Sequence, residues 1–346
     1  MNKEFLKELI ECVSVSGKEE AIQRKIRNHM ADCCDESRVD ASGNLYTIIN
    51  PEAKQRVLLS AHVDEIGFYV NRIYPDGTVG VIRAGGVRAP LYLGTHVQIQ
   101  GRELVHGVVM SHRELENRGN VKPEDLRIDV GMDSREMTEK LISIGDALCS
   151  ATTIQDLRNE RFAARAVDDR GGAFIILEAI RKARVMGSRT GMFAVTTTGE
   201  ETTRRGAFHA SVNVRPTCAV VVDVTYATDC QGALGGESGD VYLGKGAVLC
   251  HSSIVNKQLQ KRMEQTAKKY DIPVQWEVMP GFTYTDGDTI HLSNEGVPVV
   301  LVSLPLRYMH SSIEMADYRD VQSCIDLIAH FLYDLEEDFS FIPEIE

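Results

Sequence analysis

Apolar residues recur along the chain in two rhythms, and the changes between them mark its organisation. Phe5, Leu6, Leu9, Ile10 and Val13 fall at helical spacing, and Ile22, Ile26 and Met30 mark the stripe of a second helix. Ser16 with Glu19 three residues later predicts a capping box that starts this second helix. After a Gly43-Asn44 turn come two short apolar runs, residues 45–49 (LYTII) and 57–61 (VLLSA), of the kind a sheet buries on both faces. From about Arg72 to Phe162 helical periodicity almost vanishes. Short strand-like pieces such as residues 97–100 and 104–110 are separated there by Asp76-Gly77, Gly85-Gly86 and Gly101.

Beyond that stretch the alternation of strand and helix resumes. The pattern predicts a helix over residues 172–183, strands at 192–198 and 219–222, a helix at 254–269 and strands at 274–278 and 297–303. A final helix is buried through Val321, Ile325, Ile328 and Leu332. The expected fold is therefore α/β: a mainly parallel, doubly wound sheet flanked by helices, formed by residues 1–71 and 163–346. A small β-rich, barrel-like domain of residues 72–162 is inserted into it.

Composition narrows the function classes. With 346 residues, 43% hydrophobic and 25% charged, the chain can build a large core and is neither disordered nor fibrous. A net charge of -12 without a basic cluster argues against a nucleic-acid partner. No apolar run reaches the roughly 18 residues of a membrane helix, and the first ten residues carry four charges where a signal peptide would be apolar. Eight scattered cysteines without a C-x-x-C pair read as reduced thiols, mostly in the core. A cytoplasmic protein is expected.

In open α/β sheets ligands bind beyond the carboxyl ends of the strands, so the residues just past each apolar run matter most. After VLLSA comes His62-Val63-Asp64-Glu65, and after FAVTTTG comes Glu200-Glu201. After AVVV comes Asp223, and after VPVVLVS a short loop leads to His310; Asp168-Asp169 falls at a break directly before a helix. Taken singly each has an ordinary explanation. His62 could be a hydrogen-bonded core histidine, Glu200-Glu201 a solvated pair, Asp168 a helix cap, Asp223 a turn residue. Taken together they converge on one crevice, where so many carboxylates would repel one another unless cations neutralised them. Three ligating carboxylates and two neutral imidazoles offset most of the charge of two divalent ions. The donor types suit zinc, cobalt or manganese, since no thiolate is offered.

These residues, with Val15-Ser16-Gly17, Gly43-Asn44, residues 61–68 (AHVDEIGF), Asp168-Asp169-Arg170-Gly171, Leu243-Gly244-Lys245-Gly246, Thr285-Asp286 and residues 307–311 (RYMHS), make the chain resemble the deblocking and glutamyl aminopeptidase family, whose members build tetrahedral dodecamers. The resemblance implies one metal on His62 and Asp223, another on Glu201 and His310, and Asp168 bridging them. Asp64 would orient the His62 imidazole, Glu200 would be the general base, and the Asp168-Asp169 peptide would be cis. It further implies short peptides with a free amino terminus as substrates, and a homo-oligomer, from a dimer up to a dodecamer, assembled through the inserted domain. Two stretches depart from the family pattern: Thr202-Thr203 after the paired glutamates, and residues 282–287 (FTYTDG) where Gly-Gly-Thr-Asp-Ala is usual. Both are expected where substrate passes.

Rival readings remain open at this stage. The same metals could serve a deacylase or carboxypeptidase, which would need a basic clamp such as Arg170 or Arg307. A metal-free glycoside hydrolase of endoglucanase type would use Glu200 and Glu201, although one tryptophan and 6% aromatic residues furnish a sugar cleft poorly. A non-catalytic assembly protein is the third. For His106, His112, His251 and His291 structural or surface roles are expected.

Overall fold

The computed structural model describes residues 1–230 and 238–343. An eight-stranded sheet forms its centre, in the order Glu36–Val39, Leu45–Ile49, Gly191–Thr197, Arg56–His62, Cys218–Tyr226, Val299–Leu306, Ala247–Ser252, Val274–Met279. The middle four strands run parallel, and the last two are parallel to each other. Antiparallel pairings join Glu36–Val39 to Leu45–Ile49, Leu45–Ile49 to Gly191–Thr197, and Val299–Leu306 to Ala247–Ser252. The parallel character expected from the sequence thus belongs to the core of the sheet.

All seven residues of Gly191–Thr197 and all eight of Val299–Leu306 are buried. Successive residues of a strand point to opposite faces, so both faces of the sheet are covered. The helix Val167–Met186 packs on the Arg56–His62 and Cys218–Tyr226 strands, and Tyr318–Asp334 packs on that helix. Asp317 caps Tyr318–Asp334 by accepting the Arg319 N–H at 2.9 Å. In Lys3–Glu11, Asn2 accepts the Phe5 N–H at 3.2 Å while Phe5, Leu6, Leu9 and Ile10 turn inward.

The capping box expected at Ser16 does not form. The second helix is Glu20–Met30; the Glu19 carboxylate accepts the Gly17 N–H at 2.7 Å, and the Ser16 hydroxyl pairs with Thr202 Oγ1 at 2.8 Å. Ser16 is drawn into a contact 186 residues away, which local spacing cannot anticipate.

Six short strands between Gly67 and Ser150 close into an antiparallel barrel around Phe68, Val81, Val97, Ile99, Ile128 and Leu148. Gln155–Asp156, inside the stretch read as inserted, and Arg161–Ala164, which crosses its end at Phe162, lie outside the barrel: they pair with each other, and Arg161–Ala164 pairs with Glu314–Asp317, in a separate three-stranded sheet. None of the eight cysteines is in a disulfide; four are buried and four partly buried. No helix among the described residues is long and apolar enough to cross a membrane.

Candidate metal centre

The middle strands deliver the polar residues to one end of the sheet. His62 ends its strand, Glu200 and Glu201 follow Thr197 by three and four residues, Asp223 lies within Cys218–Tyr226, and His310 follows Leu306 by four. Asp168 enters from the break at the start of Val167–Met186, where it and Asp169 leave helical geometry and the peptide between them is cis.

All six residues line one cavity of about 430 Å³. Asp168 Oδ1 lies 3.2 Å from His62 Nε2 and Oδ2 lies 3.2 Å from His310 Nε2, so one carboxylate faces both imidazoles. Glu201 Oε2 is 3.6 Å from His310 Nε2, and Glu200 Oε2 is 3.9 Å from His62 Nε2. Two sets place donor atoms within 4.8 Å of one another: His62, Asp168 and Glu201; and His62, Asp169 and Asp223.

Asp64, fully buried, organises this arrangement. Its carboxylate accepts the N–H of Glu200 at 3.1 Å and of Glu201 at 3.2 Å. The His62 Nδ1 nitrogen lies 3.0 Å from the Asp64 carbonyl oxygen and 3.5 Å from its carboxylate. A proton on Nδ1 leaves Nε2 with its lone pair toward Asp168, the tautomer a metal ligand needs. Asn44 supports the same turn by accepting the Thr198 N–H at 3.1 Å.

Electrostatics show what such a crowd of acids requires. Burial first, and then the neighbouring Asp168 charge, push the Asp223 and Glu201 carboxyls well above the usual carboxylate range. Asp168 goes the other way: burial opposes its charge, but in the metal-free protein, with both imidazoles protonated, hydrogen bonds from His310 and His62 outweigh burial and hold it low. Burial raises Glu200 to about 7, against the pull of His62 and of Arg204, whose Nε lies 2.8 Å from Glu200 Oε1. Among the described residues Glu201 Oε1 is buried without a hydrogen-bond partner. Such an oxygen, among imidazoles and carboxylates, fits a cation: it supplies the missing partner and relieves the repulsion.

Several contributors escaped the sequence reading. Asp169 enters one of the two candidate sets, although its oxygens already accept the His62 N–H at 3.2 Å and the Gly172 N–H at 3.0 Å. Glu314 ties two of the predicted residues together, accepting the Asp168 N–H at 3.1 Å and the His310 N–H at 3.2 Å. Asp286, noted only as part of a motif, accepts the Ser60 and Thr197 hydroxyls beneath the site. Gly85-Gly86, read as a break, is a close approach from the barrel: a Cβ on Gly86 would stand 2.5 Å from His310 Nδ1. Only a run of glycine with no turn partner of its own could have hinted at that.

Of the two departures, only the second lines the cavity, through Thr283, Tyr284 and Thr285; Thr202 and Thr203 do not, since Thr202 pairs with Ser16, although the Arg204 that follows them does. The remaining histidines stand apart. His106 is exposed on a barrel strand, His112 caps a short helix, His251 stacks on Trp276, and His291 bonds the Gly287 carbonyl. Arg170 is consumed by Ile10, Ser14 and Glu65, and Arg307 by Asp229, so neither is available to clamp a substrate carboxylate.

A family model described as M42 glutamyl aminopeptidase matches residues 43–327. The lysyl aminopeptidase of Pyrococcus furiosus is 33% identical over 345 residues, covering 96% of this chain and 97% of its own. Among solved structures, a TET aminopeptidase from a marine sediment Thaumarchaeota archaeon gives a TM-score of 0.90 at 28% identity, covering 96% of each chain. The TET1 peptidase of Pyrococcus horikoshii, which can assemble into a tetrahedron or a large octahedral shell, gives 0.85 at 28% identity over 96% of this chain and 99% of its own. The matched segment contains every one of the converging residues from His62 to His310, and the chain belongs to the M42 glutamyl aminopeptidase family and is a peptide hydrolase.

Proposed function

We propose that the protein is a two-metal aminopeptidase that removes residues one at a time from the amino terminus of short peptides. The observation that carries this reading is Asp168, whose two oxygens each stand 3.2 Å from the Nε2 atom of a different histidine. His62 and Asp223 would hold one divalent ion, Glu201 and His310 the other, with Asp168 shared. Zinc, cobalt and manganese all suit these donors. When bound, such ions supply Lewis acidity, lowering the pKa of water and polarising the substrate carbonyl.

The chain's own residues do the rest. Glu200 takes the proton of the attacking water and returns it to the leaving amine. In the metal-free protein burial brings its carboxyl to about 7, in the range where a group both accepts and returns a proton near neutral pH. Arg204, bonded to Glu200 Oε1 and lying 3.3 Å from Asp288, keeps one Glu200 oxygen fixed while the other faces the centre. Asp64 holds the turn carrying both glutamates and fixes the His62 tautomer. With Arg170 and Arg307 engaged elsewhere, the described residues offer no free arginine at those positions for a deacylase or carboxypeptidase. Unpaired thiols suit a reducing compartment, and we place the enzyme in the cytoplasm. The inserted β-rich domain is proposed to carry assembly into a tetrahedral dodecamer.

Glu200→Ala tests the central assignment. It should keep two metals per chain while lowering kcat on aminoacyl p-nitroanilides by about 10² to 10⁴-fold. Turnover equal to that of the parent would refute Glu200 as the base.

A further inference from the structure

Glu277 is a buried acid that the proposed mechanism does not use. It lies on Val274–Met279, is 4% exposed, and lines the same cavity as the metal-centre residues. Thr225 donates a hydrogen bond to Oε2 at 2.5 Å, and Ser303 donates a longer one to Oε1 at 3.4 Å. Among the described residues no cationic side chain pairs with it; only the two hydroxyls offset its burial. Arg204, the one arginine on the cavity wall among the described residues, is already shared by Glu200 and Asp288. A buried carboxylate facing a cavity without a counter-charge is costly unless something supplies the charge.

The rest of the cavity describes what would. Val224, Met279, Leu301 and Met309 add apolar wall to the cavity that holds both the metal-centre residues and Glu277. Thr225, which holds Glu277, lies two residues beyond Asp223 on one strand, a separation of about 7 Å. An extended four-carbon side chain ending in an ammonium spans about 6 Å from its Cα. Methylenes against apolar wall with a cation at the tip match such a side chain.

We propose that Glu277, positioned by Thr225 and Ser303, is the specificity residue for a basic N-terminal side chain, so that peptides beginning with lysine are preferred over isosteric apolar ones. The inference rests on the aminopeptidase reading and adds the substrate class. Burial raises the Glu277 carboxyl because only hydroxyls oppose it, and an ammonium ion brought alongside favours the ionised form.

The test compares kcat/KM for lysyl and norleucyl p-nitroanilide, which differ by the terminal charge, in the metal-loaded full-length enzyme. The parent should favour lysine by about tenfold or more. Glu277→Gln should erase most of that ratio. Glu277→Asp, which keeps the charge but withdraws it by one methylene, should give an intermediate ratio and a relative gain for arginine. Calorimetric binding of the products lysine and norleucine to the same three proteins should follow the same order, and their thermal melts establish folding. A parent that cleaves norleucine as well as lysine, or a folded Glu277→Gln with the parental ratio, would overturn the assignment while leaving the aminopeptidase intact. Absence of cleavage of every aminoacyl substrate under zinc, cobalt and manganese would instead overturn the underlying reading, and this inference with it.

Discussion

Replacing Asp64 by Asn tests how the centre is held together. The parent carboxylate accepts two backbone N–H groups, at 3.1 and 3.2 Å, and faces the His62 ring, all in a fully buried position. In Asp64→Asn one oxygen becomes an NH₂ group, so one amide donor meets another donor. The loss of a hydrogen bond to a charged acceptor costs about 1.5 to 3 kcal/mol, to which the unsatisfied N–H adds at the lower end of a similar range. Some relaxation of the turn recovers part of this, and the metal-free protein should lose about 2 to 4 kcal/mol in urea melts. The second effect reaches the metals: a supporting acid of this kind is worth about 10 to 100-fold in affinity. That is about 1.4 to 2.7 kcal/mol, read by competition with a chromophoric chelator. A folded variant with metal Kd within about threefold of the parent would show that Asp64 does not orient the ligands, and the reasoning built on its hydrogen bonds would fail.

Gly86→Ala should displace the His310 ring, since its new methyl would lie 2.5 Å from Nδ1 and 2.8 Å from Cε1. Metal content by mass spectrometry should fall from two ions toward one per chain, with kcat/KM down about 10²-fold; two retained ions would argue against the assignment of His310. Glu65 is buried between Arg165 and Arg170. Burial opposes its charge, but the two guanidiniums outweigh it and hold the carboxyl below its ordinary value of 4.5. A depressed acid contributes stability that is complete above the unfolded value and lost as pH falls through the folded one. Glu65→Gln should therefore cost about 3 to 5 kcal/mol at neutral pH and flatten the loss of stability below pH about 4.5 in denaturant titrations. An unchanged acid limb would count against that ion cluster. Dialysis against a chelator should abolish turnover and lower the Tm, and zinc, cobalt or manganese at 100 times Kd should restore about 2.7 kcal/mol of stability. Full activity in metal-free protein would exclude a metal mechanism.

Apolar runs such as VLLSA and VPVVLVS by themselves determined where the buried strands lie, because burial on both faces demands uninterrupted apolar residues. Strand ends then determined which acids and imidazoles could meet, and His62, Asp168, Glu200, Glu201, Asp223 and His310 do share one cavity. Tertiary structure alone decided the partners that join distant segments without any local pattern. Glu314 bonding the backbone of Asp168, 146 residues away, is one such partner, and so is the barrel glycine that leaves room for the His310 ring. Thr225 closing on Glu277 across 52 residues is a third. A hydrophobic period records only whether a side chain faces inward. Which polar group it then meets depends on how separate segments are brought together in space.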